Sequence, residues 1–378
     1  MTSATPSIRL AEPAPGPPAA SPTALAFRRV IRAVAVAVIL PGLVRSAELD
    51  APPPGAFTIV VIPDTQGYFG RGTKATPTST DPLTNPVFAN HTRWIVENRA
   101  RQNIVFVTHV GDIVDINNRE QWQLARACLD RLHGVVPYGL TVGNHDMKNT
   151  GDSSLFQEFF GAERFARFAW YGGCFRPERP APTISGNNAN SYQLFSAADL
   201  EFVHLNLECN APDDVLAWAG GVLTKHADRR ALLTTHMDLG PLDKPKDNDG
   251  FVNDPKGRMR WVKIHGARGN SPVQMWEKLY RHHANLAFIF SGDQSRTTAL
   301  TLAANGSVGN LVRSLLSDYT STGPLRVYRF LPSQDKVQVI TYDTTRRELV
   351  ETARYIKDRH AHQFTLDYLI KPVGVSSR

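Results

Sequence analysis

Thr141-Val142-Gly143-Asn144-His145-Asp146 is the stretch from which the fold can be worked out. An apolar approach runs into a Gly-Asn-His-Asp turn, the form of a buried strand that delivers polar groups at its carboxyl end. Asn144 offers a neutral carbonyl oxygen to a metal ion, and His145 can carry a proton near neutral pH. Gly143 lets the backbone turn sharply enough to present both. A tetrapeptide of this kind is also an ordinary turn, so its meaning depends on whether other strand ends supply matching groups.

Four others do. Phe57-Thr58-Ile59-Val60-Val61-Ile62 is a continuous apolar run that leads to Asp64 and Gln66. Residues 104–110 form a second run that ends at Gly111-Asp112, and residues 135–142 form the third, into the turn quoted above. Further on, residues 230–236 end on His236, and residues 286–290 are followed by Ser291-Gly292-Asp293-Gln294. Between the runs, apolar spacing predicts helices over 91–101, 119–133, 154–169, 215–227 and 273–283. Strand, helix and strand in alternation predict parallel pairing with right-handed crossovers. Alternating segments at 187–195, 200–208, 325–330, 336–342 and 364–368 read as antiparallel additions or a second packed sheet. In open α/β sheets, sites form just outside the carboxyl ends of strands. Five strand ends bearing Asp, Asn, Gln or His suit hard or borderline divalent ions such as Mn, Fe, Zn or Mg.

Composition agrees with an ordinary folded chain, with 42% hydrophobic and 20% charged residues among 378. The formal charge of +7 falls to +3 once residues 1–46, with five arginines and one glutamate, are set aside. That balance is too mild to argue for nucleic-acid or membrane-surface binding. Residues 1–24 are rich in Pro, Ala and Ser and read as a disordered leader. Arg28, Arg29 and Arg32 then precede a short apolar run over 33–40, with Val44-x-Ser46 as a cleavage signal. This pattern predicts a signal peptide cut after Ser46 and an exported, periplasmic or secreted product. An uncleaved anchor and a buried helix are the alternatives. The run is well short of the ~20 residues a spanning helix needs, and no later segment is apolar enough to span. The expected organisation is leader and signal peptide over 1–46, linker over 47–56, one catalytic domain over 57–370 and a tail over 371–378. Cys128, Cys174 and Cys209 give neither a metal spacing nor a disulfide framework. Cys174 and Cys209 could pair in an oxidising compartment.

The ordered motifs Asp64-Thr65-Gln66, Gly111-Asp112, Gly143-Asn144-His145-Asp146 and His236 resemble those of the calcineurin-like metallophosphoesterases. More narrowly, they look like the exported bacterial branch whose first motif is Asp-Thr-Gln instead of Asp-x-His. The likeness continues through Gln121-Trp122, Asn305-Gly306 and Thr341-Tyr342 and spans roughly residues 57–370. It implies a four-layer α/β/β/α sandwich with two mixed sheets and two divalent metal ions. By that resemblance Asp112 bridges two ions ~3.5–4 Å apart. Asp64 holds the first, with Gln66 as a weak carbonyl ligand, and Asn144 and His236 hold the second. A metal-bound hydroxide attacks phosphorus in a phosphate mono- or diester, and His145, oriented by Asp146, protonates the leaving oxygen. The expected partner is a phosphorylated substrate, small or macromolecular.

The chain departs from the family pattern at two places. Gln66 replaces a histidine, and the usual Gly-His-x-His is represented by Gly292-Asp293-Gln294-Ser295. Asp293 can serve as an oxygen ligand, whereas Ser295 is a poor substitute for an imidazole. These changes predict a firm second metal site and a weak first one. Otherwise the register differs, or His265, His282 or His283 substitutes from a loop. They also raise the alternative of a degenerate homologue that binds a phosphorylated ligand with little turnover. Among the remaining residues, His109, Tyr68, Asp115 and Glu208 read as packing or loop-holding groups. Arg258, Arg260 and Lys263 belong to a solvated basic loop that could reach phosphate oxygens.

Overall fold

Strand β1 (Phe57–Ile62) is buried along its whole length because its alternating side chains feed two different cores. Val60 and Ile62 pack into a cluster with Trp94, Trp122 and Phe156. Phe57, Ile59 and Val61 face a second cluster with Phe195, Phe202 and Phe288. A strand covered on both faces has no solvated side to encode, so its sequence is apolar apart from buried Thr58. Each large side chain buried this way contributes ~1.5–3 kcal/mol relative to leaving it in water.

The computed structural model describes residues 48–148, 151–178, 183–239, 264–294, 299–319 and 321–369, all within one compact unit, Ser46–Arg378. The expected leader and signal peptide, the tail, Ser295, Arg258, Arg260 and Lys263 lie outside the described residues.

β1 runs parallel to β2 (Ile104–His109), which runs parallel to β3 (Tyr138–Leu140). On its other edge β1 pairs antiparallel with β11 (Pro324–Leu331), and β11 with β12 (Lys336–Asp343). The far edge of β12 carries β13 (Glu348–Leu349) and β14 (Gln363–Asp367). The second sheet has the order β4 (Tyr171–Cys174), β5 (Ser191–Ala197), β6 (Leu200–Leu207), β7 (Arg230–Thr235), β8 (Leu286–Ser291), β10 (Leu311–Ser317) and β9 (Ala299–Asn305). Within it β6, β7, β8 and β10 are parallel, and β4, β5 and β9 are antiparallel additions.

The two sheets pack face to face. Phe106 of β2 stacks on Phe195 of β5 with ring centroids 4.6 Å apart, and Phe57 meets Phe202 edge-on at 5.6 Å. Helices α1 (Pro86–Asn98), α2 (Arg119–Leu129), α3 (Ser154–Phe160) and α4 (Ala162–Phe165) cover the outer face of the first sheet through Phe88, Trp94, Trp122, Phe156 and Phe165. Helices α5 (Asp213–Lys225) and α6 (Pro272–Lys278) cover the second through Val215, Leu216 and Met275, against Val203, Leu205 and Ile289. The result is the expected four-layer α/β/β/α sandwich with two mixed sheets.

Several boundaries differ from expectation, each for a local reason. α1 starts at Pro86, five residues before the expected 91, because Asn85 Oδ1 accepts from Phe88 N at 3.0 Å and Pro86 fits a first helical turn. The long aromatic helix expected over 154–169 breaks at Gly161, whose extended backbone separates α3 from α4. α6 stops at Lys278 and is followed by a tight turn over Tyr280–His282. β4 was not anticipated, since Tyr171-Gly-Gly-Cys174 has little strand propensity and forms by pairing with β5.

Candidate metal centre

The ends of β1, β2 and β7 bring Asp64, Asp112 and His236 together, each offering one ligand atom within 4.8 Å of the others, and all three are buried. Five parallel strands, β1, β2 and β3 from one sheet and β7 and β8 from the other, deliver their carboxyl ends to this spot. The polar residues after them therefore converge although they lie far apart in sequence.

His236 defines the chemistry. Its Nδ1 lies 2.9 Å from the Val110 carbonyl oxygen, which can only accept, so Nδ1 carries the hydrogen. Nε2 then faces three oxygens: Asn144 Oδ1 at 3.0 Å, Asp112 Oδ1 at 3.2 Å and Asp293 Oδ1 at 3.5 Å. A lone pair aimed at three acceptors in a buried site needs a cation between them, or a second proton on the ring. Burial favours the neutral ring, but Asp112, Asp293 and Asp64 outweigh it and hold His236 well above its ordinary pKa. A divalent ion answers the same need, and the carbonyl bond at Nδ1 sets the ring for it.

Asp112 sits at the centre. The backbone N–H of His145 donates to its Oδ1 at 2.9 Å, and Gln66 Nε2 donates to its Oδ2 at 2.9 Å. Burial alone would raise its pKa, yet His236 and then His145 hold its carboxyl below the ordinary range. Its backbone is left-handed (φ 51°), as is that of Asp293 (φ 64°). Strain of this kind collects at sites where a side chain must be aimed. Gly143 is needed here for space: a Cβ would fall 2.2 Å from both Asp112 N and Oδ1.

Asp64 and Asp293 complete the carboxylates. Asp293 N donates to Asp64 Oδ2 at 3.3 Å, and Gln294 Nε2 donates to Asp293 Oδ2 at 2.8 Å. Asp64 Oδ1 is buried and has no hydrogen-bond partner among the described residues. An orphaned carboxylate oxygen, a histidine nitrogen facing oxygens and a donor set made of oxygen and imidazole nitrogen all fit hard or borderline divalent ions. Asp64, Asp112, Asn144, His236 and Asp293 are the residues that would hold them.

Two expectations are corrected by the geometry. Gln66, expected as a carbonyl ligand, turns its amide nitrogen to Asp112 Oδ2, because a carboxylate oxygen can only accept. Asp146, expected to orient His145, accepts instead from three backbone groups, Gly143 N at 2.8 Å, Val114 N at 3.0 Å and Ile113 N at 3.2 Å. It staples the Gly143 turn to the loop after Asp112. Burial and then the Asp112 charge raise its pKa to about 6 against those three bonds. The ring of His145 is held by Asp115: Nδ1 donates to the Asp115 carbonyl oxygen at 2.8 Å, with Asp115 Oδ1 at 3.5 Å. Nε2 then has no bonded partner among the described residues, on a side chain that is 33% exposed.

The other weighed residues fall into place around the cluster. His109 accepts from Gly111 N and bonds Thr65 Oγ1 at 3.0 Å, and burial lowers its pKa to about 3, so it is a neutral packing group. Tyr68 is buried and donates to Ile113 O. His265 bonds the Cys209 carbonyl and lies beside buried Glu208, and His282 bonds the Glu277 carbonyl, so each of these imidazoles has a local partner. His283 lies against Gly220 of α5. All three cysteines are free. Sequence reading missed Ser321, whose Oγ donates to Asp64 O and accepts from Gly67 N, both at 2.9 Å. Nothing local to Ser321 marks it, since its role arises only when β10 and β11 bring it to the end of β1.

A curated protein similar to this chain is the uncharacterized protein YvnB of Bacillus subtilis (strain 168), 26% identical over 307 residues, which cover 76% of this chain. The match covers only 20% of the length of YvnB. Among solved structures, the chain is similar to the NAD nucleotidase NadN of Haemophilus influenzae at 10% identity and a TM-score of 0.41, covering 78% of this chain and 48% of that one. It is also similar to the calcineurin-like phosphoesterase YfkN of Bacillus subtilis at 12% identity and a TM-score of 0.39, covering 75% and 85%. Likenesses at these scores carry no argument about activity. The sequence pattern of the calcineurin-like phosphoesterases matches residues 57–296, which contain every strand end of the cluster just described. With the ligand atoms of Asp64, Asp112 and His236 gathered inside that span, the chain belongs to the calcineurin-like phosphoesterases, a family of two-metal phosphoric ester hydrolases.

Proposed function

We propose that the protein hydrolyses phosphate mono- or diesters at the cluster of Asp64, Asp112, Asn144, His236 and Asp293, with His145 as general acid. The observation that carries the reading is the buried convergence of Asp64, Asp112 and His236 within 4.8 Å. When bound, divalent ions supply positive charge to the phosphoryl oxygens and acidify the attacking water. The chain supplies the rest. Asp112 stands between the two halves of the site and is oriented by His145 N and Gln66. The imidazole of His145 is aimed by the Asp115 carbonyl, so its outward Nε2 can hand a proton to a leaving oxygen. Asn144 and His145 are adjacent, which ties the proton donor to a ligand by one peptide bond.

Metal removal tests this. Chelated protein is expected to lose hydrolysis of p-nitrophenyl phosphate and bis(p-nitrophenyl) phosphate, and to regain it when Mn²⁺ is returned. Activity that persists through chelation would sink the proposal. The amide of Gln66 and the carboxylate of Asp293, standing where the family has imidazoles, favour a second reading: a binder of phosphorylated ligands with little turnover. Tight phosphate-ester binding without Mn²⁺-dependent turnover would select it.

We also propose that the protein is exported, on the strength of the basic, apolar and small-residue segments within residues 1–46. The mature protein is expected outside the cytoplasm with Ala47 at its N-terminus. Terminal sequencing of fractionated protein checks this, and a cytoplasmic chain that retains Arg28 and Arg29 would refute it.

A further inference from the structure

The residue that aims His145 is itself held from two sides. Asp115 accepts from His145 Nδ1 through its carbonyl oxygen at 2.8 Å, and its carboxylate Oδ1 lies 3.5 Å from the same nitrogen. Both of those oxygens also accept from Lys74 Nζ, the carbonyl at 3.0 Å and Oδ1 at 2.7 Å. The ammonium therefore bridges the main chain and the side chain of Asp115, and a single oxygen separates it from the imidazole. The peptide before Asp115 is fixed separately, since Gln121 Oε1 in the first turn of α2 accepts from Asp115 N at 2.8 Å and Ile116 N at 2.9 Å. Gln121 thus holds the amide of Asp115, and Lys74 holds its carbonyl and carboxylate.

An ion pair between two exposed side chains contributes little, because both must give up their freedom to meet. Here the two partners differ. Lys74 is 57% exposed on its side chain, whereas that of Asp115 is only 15% exposed. The lysine is also carried by a knotted loop. Gly70 N donates to Thr76 Oγ1 at 2.8 Å, Thr73 Oγ1 donates to Gly70 O at 2.8 Å, and Thr73 is buried. Phe69 and Thr84 close the base of this loop by exchanging backbone hydrogen bonds at 2.9 and 2.8 Å. The chain that leaves β1 through Asp64 therefore folds back to place an ammonium behind His145.

We propose that Lys74 is a positioning residue for the general acid, holding Asp115 so that Nε2 of His145 meets the leaving oxygen. This rests on the reading of His145 given above. Without the ammonium, the carboxylate of Asp115 can swing away from the ring or turn onto Nδ1, and the carbonyl keeps only one of its two donors. The ring then loses its fixed direction. Proton transfer needs hydrogen-bond reach, so a small misplacement is costly.

The test compares Lys74→Met, which removes the donors at similar length, with Lys74→Arg, which keeps donors and charge. The substrates are an alkyl ester, β-glycerol phosphate, and p-nitrophenyl phosphate, at saturating Mn²⁺. Lys74→Met is expected to lower kcat on the alkyl ester by ~10-fold, part of the ~10²–10⁴-fold that a placed general acid contributes. Its KM, its kcat on p-nitrophenyl phosphate, its bound Mn²⁺ and its melting temperature are expected to match wild type. Lys74→Arg is expected to recover the alkyl ester rate. Added to His145→Ala, Lys74→Met is expected to cost nothing further, since residues acting through one group are not additive. Full activity of Lys74→Met would overturn the proposal and leave an ordinary surface ion pair. A raised KM with unchanged kcat would also overturn it and place Lys74 on the substrate, as would an undiminished further loss in the His145→Ala background. If wild type and His145→Ala hydrolyse the alkyl ester equally, the general-acid reading itself fails and the role of Lys74 falls with it.

Discussion

Asp112→Asn is expected to lower kcat/KM on phosphate esters by at least ~10³-fold, because electrostatic stabilisation of the reacting phosphoryl group is usually the largest catalytic contribution. The substitution is close to isosteric, which makes it informative. In the native site both carboxylate oxygens accept, Oδ1 from His145 N and Oδ2 from Gln66 Nε2. An asparagine must set its NH₂ against one of those donors. Gln66 can answer by presenting its carbonyl oxygen instead, so the local fold survives while a buried charge is lost. Metal content is therefore expected to fall to one ion or none, with the circular dichroism of the protein unchanged. The measurements are initial rates under saturating Mn²⁺ and elemental analysis of the same samples. Equal activity in wild type and Asp112→Asn would sink the enzymatic reading.

Why the strand ends could be read at all follows from burial. β1, β2, β7 and β8 are built mainly of apolar residues because they are covered on both faces, so the first acidic or histidine side chain beyond each strand marks where the chain leaves the core. That rule places Asp64, Asp112, His236 and Asp293 without knowledge of the fold. It cannot say which atom faces which. The family resemblance implies that Asp146 orients His145. In the turn, however, its carboxylate folds back to Gly143 N, and the group that aims the ring is a backbone carbonyl. A carbonyl is the same in every residue and leaves no signal in the side-chain code. Gln66 is a related case, since an amide is donor or acceptor according to what stands opposite it. Ser321 follows no motif and acquires meaning only from the fold, which sets its Oγ between Asp64 O and Gly67 N. The edges of the sheets were the other blind spot. β4 has two glycines and little strand character of its own, and exists because β5 offers it a partner.

His145→Ala separates proton donation from metal binding. Alanine keeps the backbone N–H that donates to Asp112 Oδ1, and it leaves the Asp146 staple and the Asn144 side chain untouched. Bound metal is therefore expected to match wild type. What disappears is the imidazole whose Nδ1 is held by the Asp115 carbonyl and whose Nε2 is the nitrogen left to carry the proton. General-acid catalysis contributes ~10²–10⁴-fold when the leaving group needs the proton. The expected loss in kcat thus depends on the ester. For alkyl phosphates, whose alkoxides are strong bases, the full factor is expected. For p-nitrophenyl phosphate, whose phenolate departs without protonation, the loss should be small. An equal loss on both substrates would place His145 in binding or positioning and not in proton transfer. No loss on either would leave Nε2 without a catalytic role, and the proton for the leaving oxygen would have to come from elsewhere.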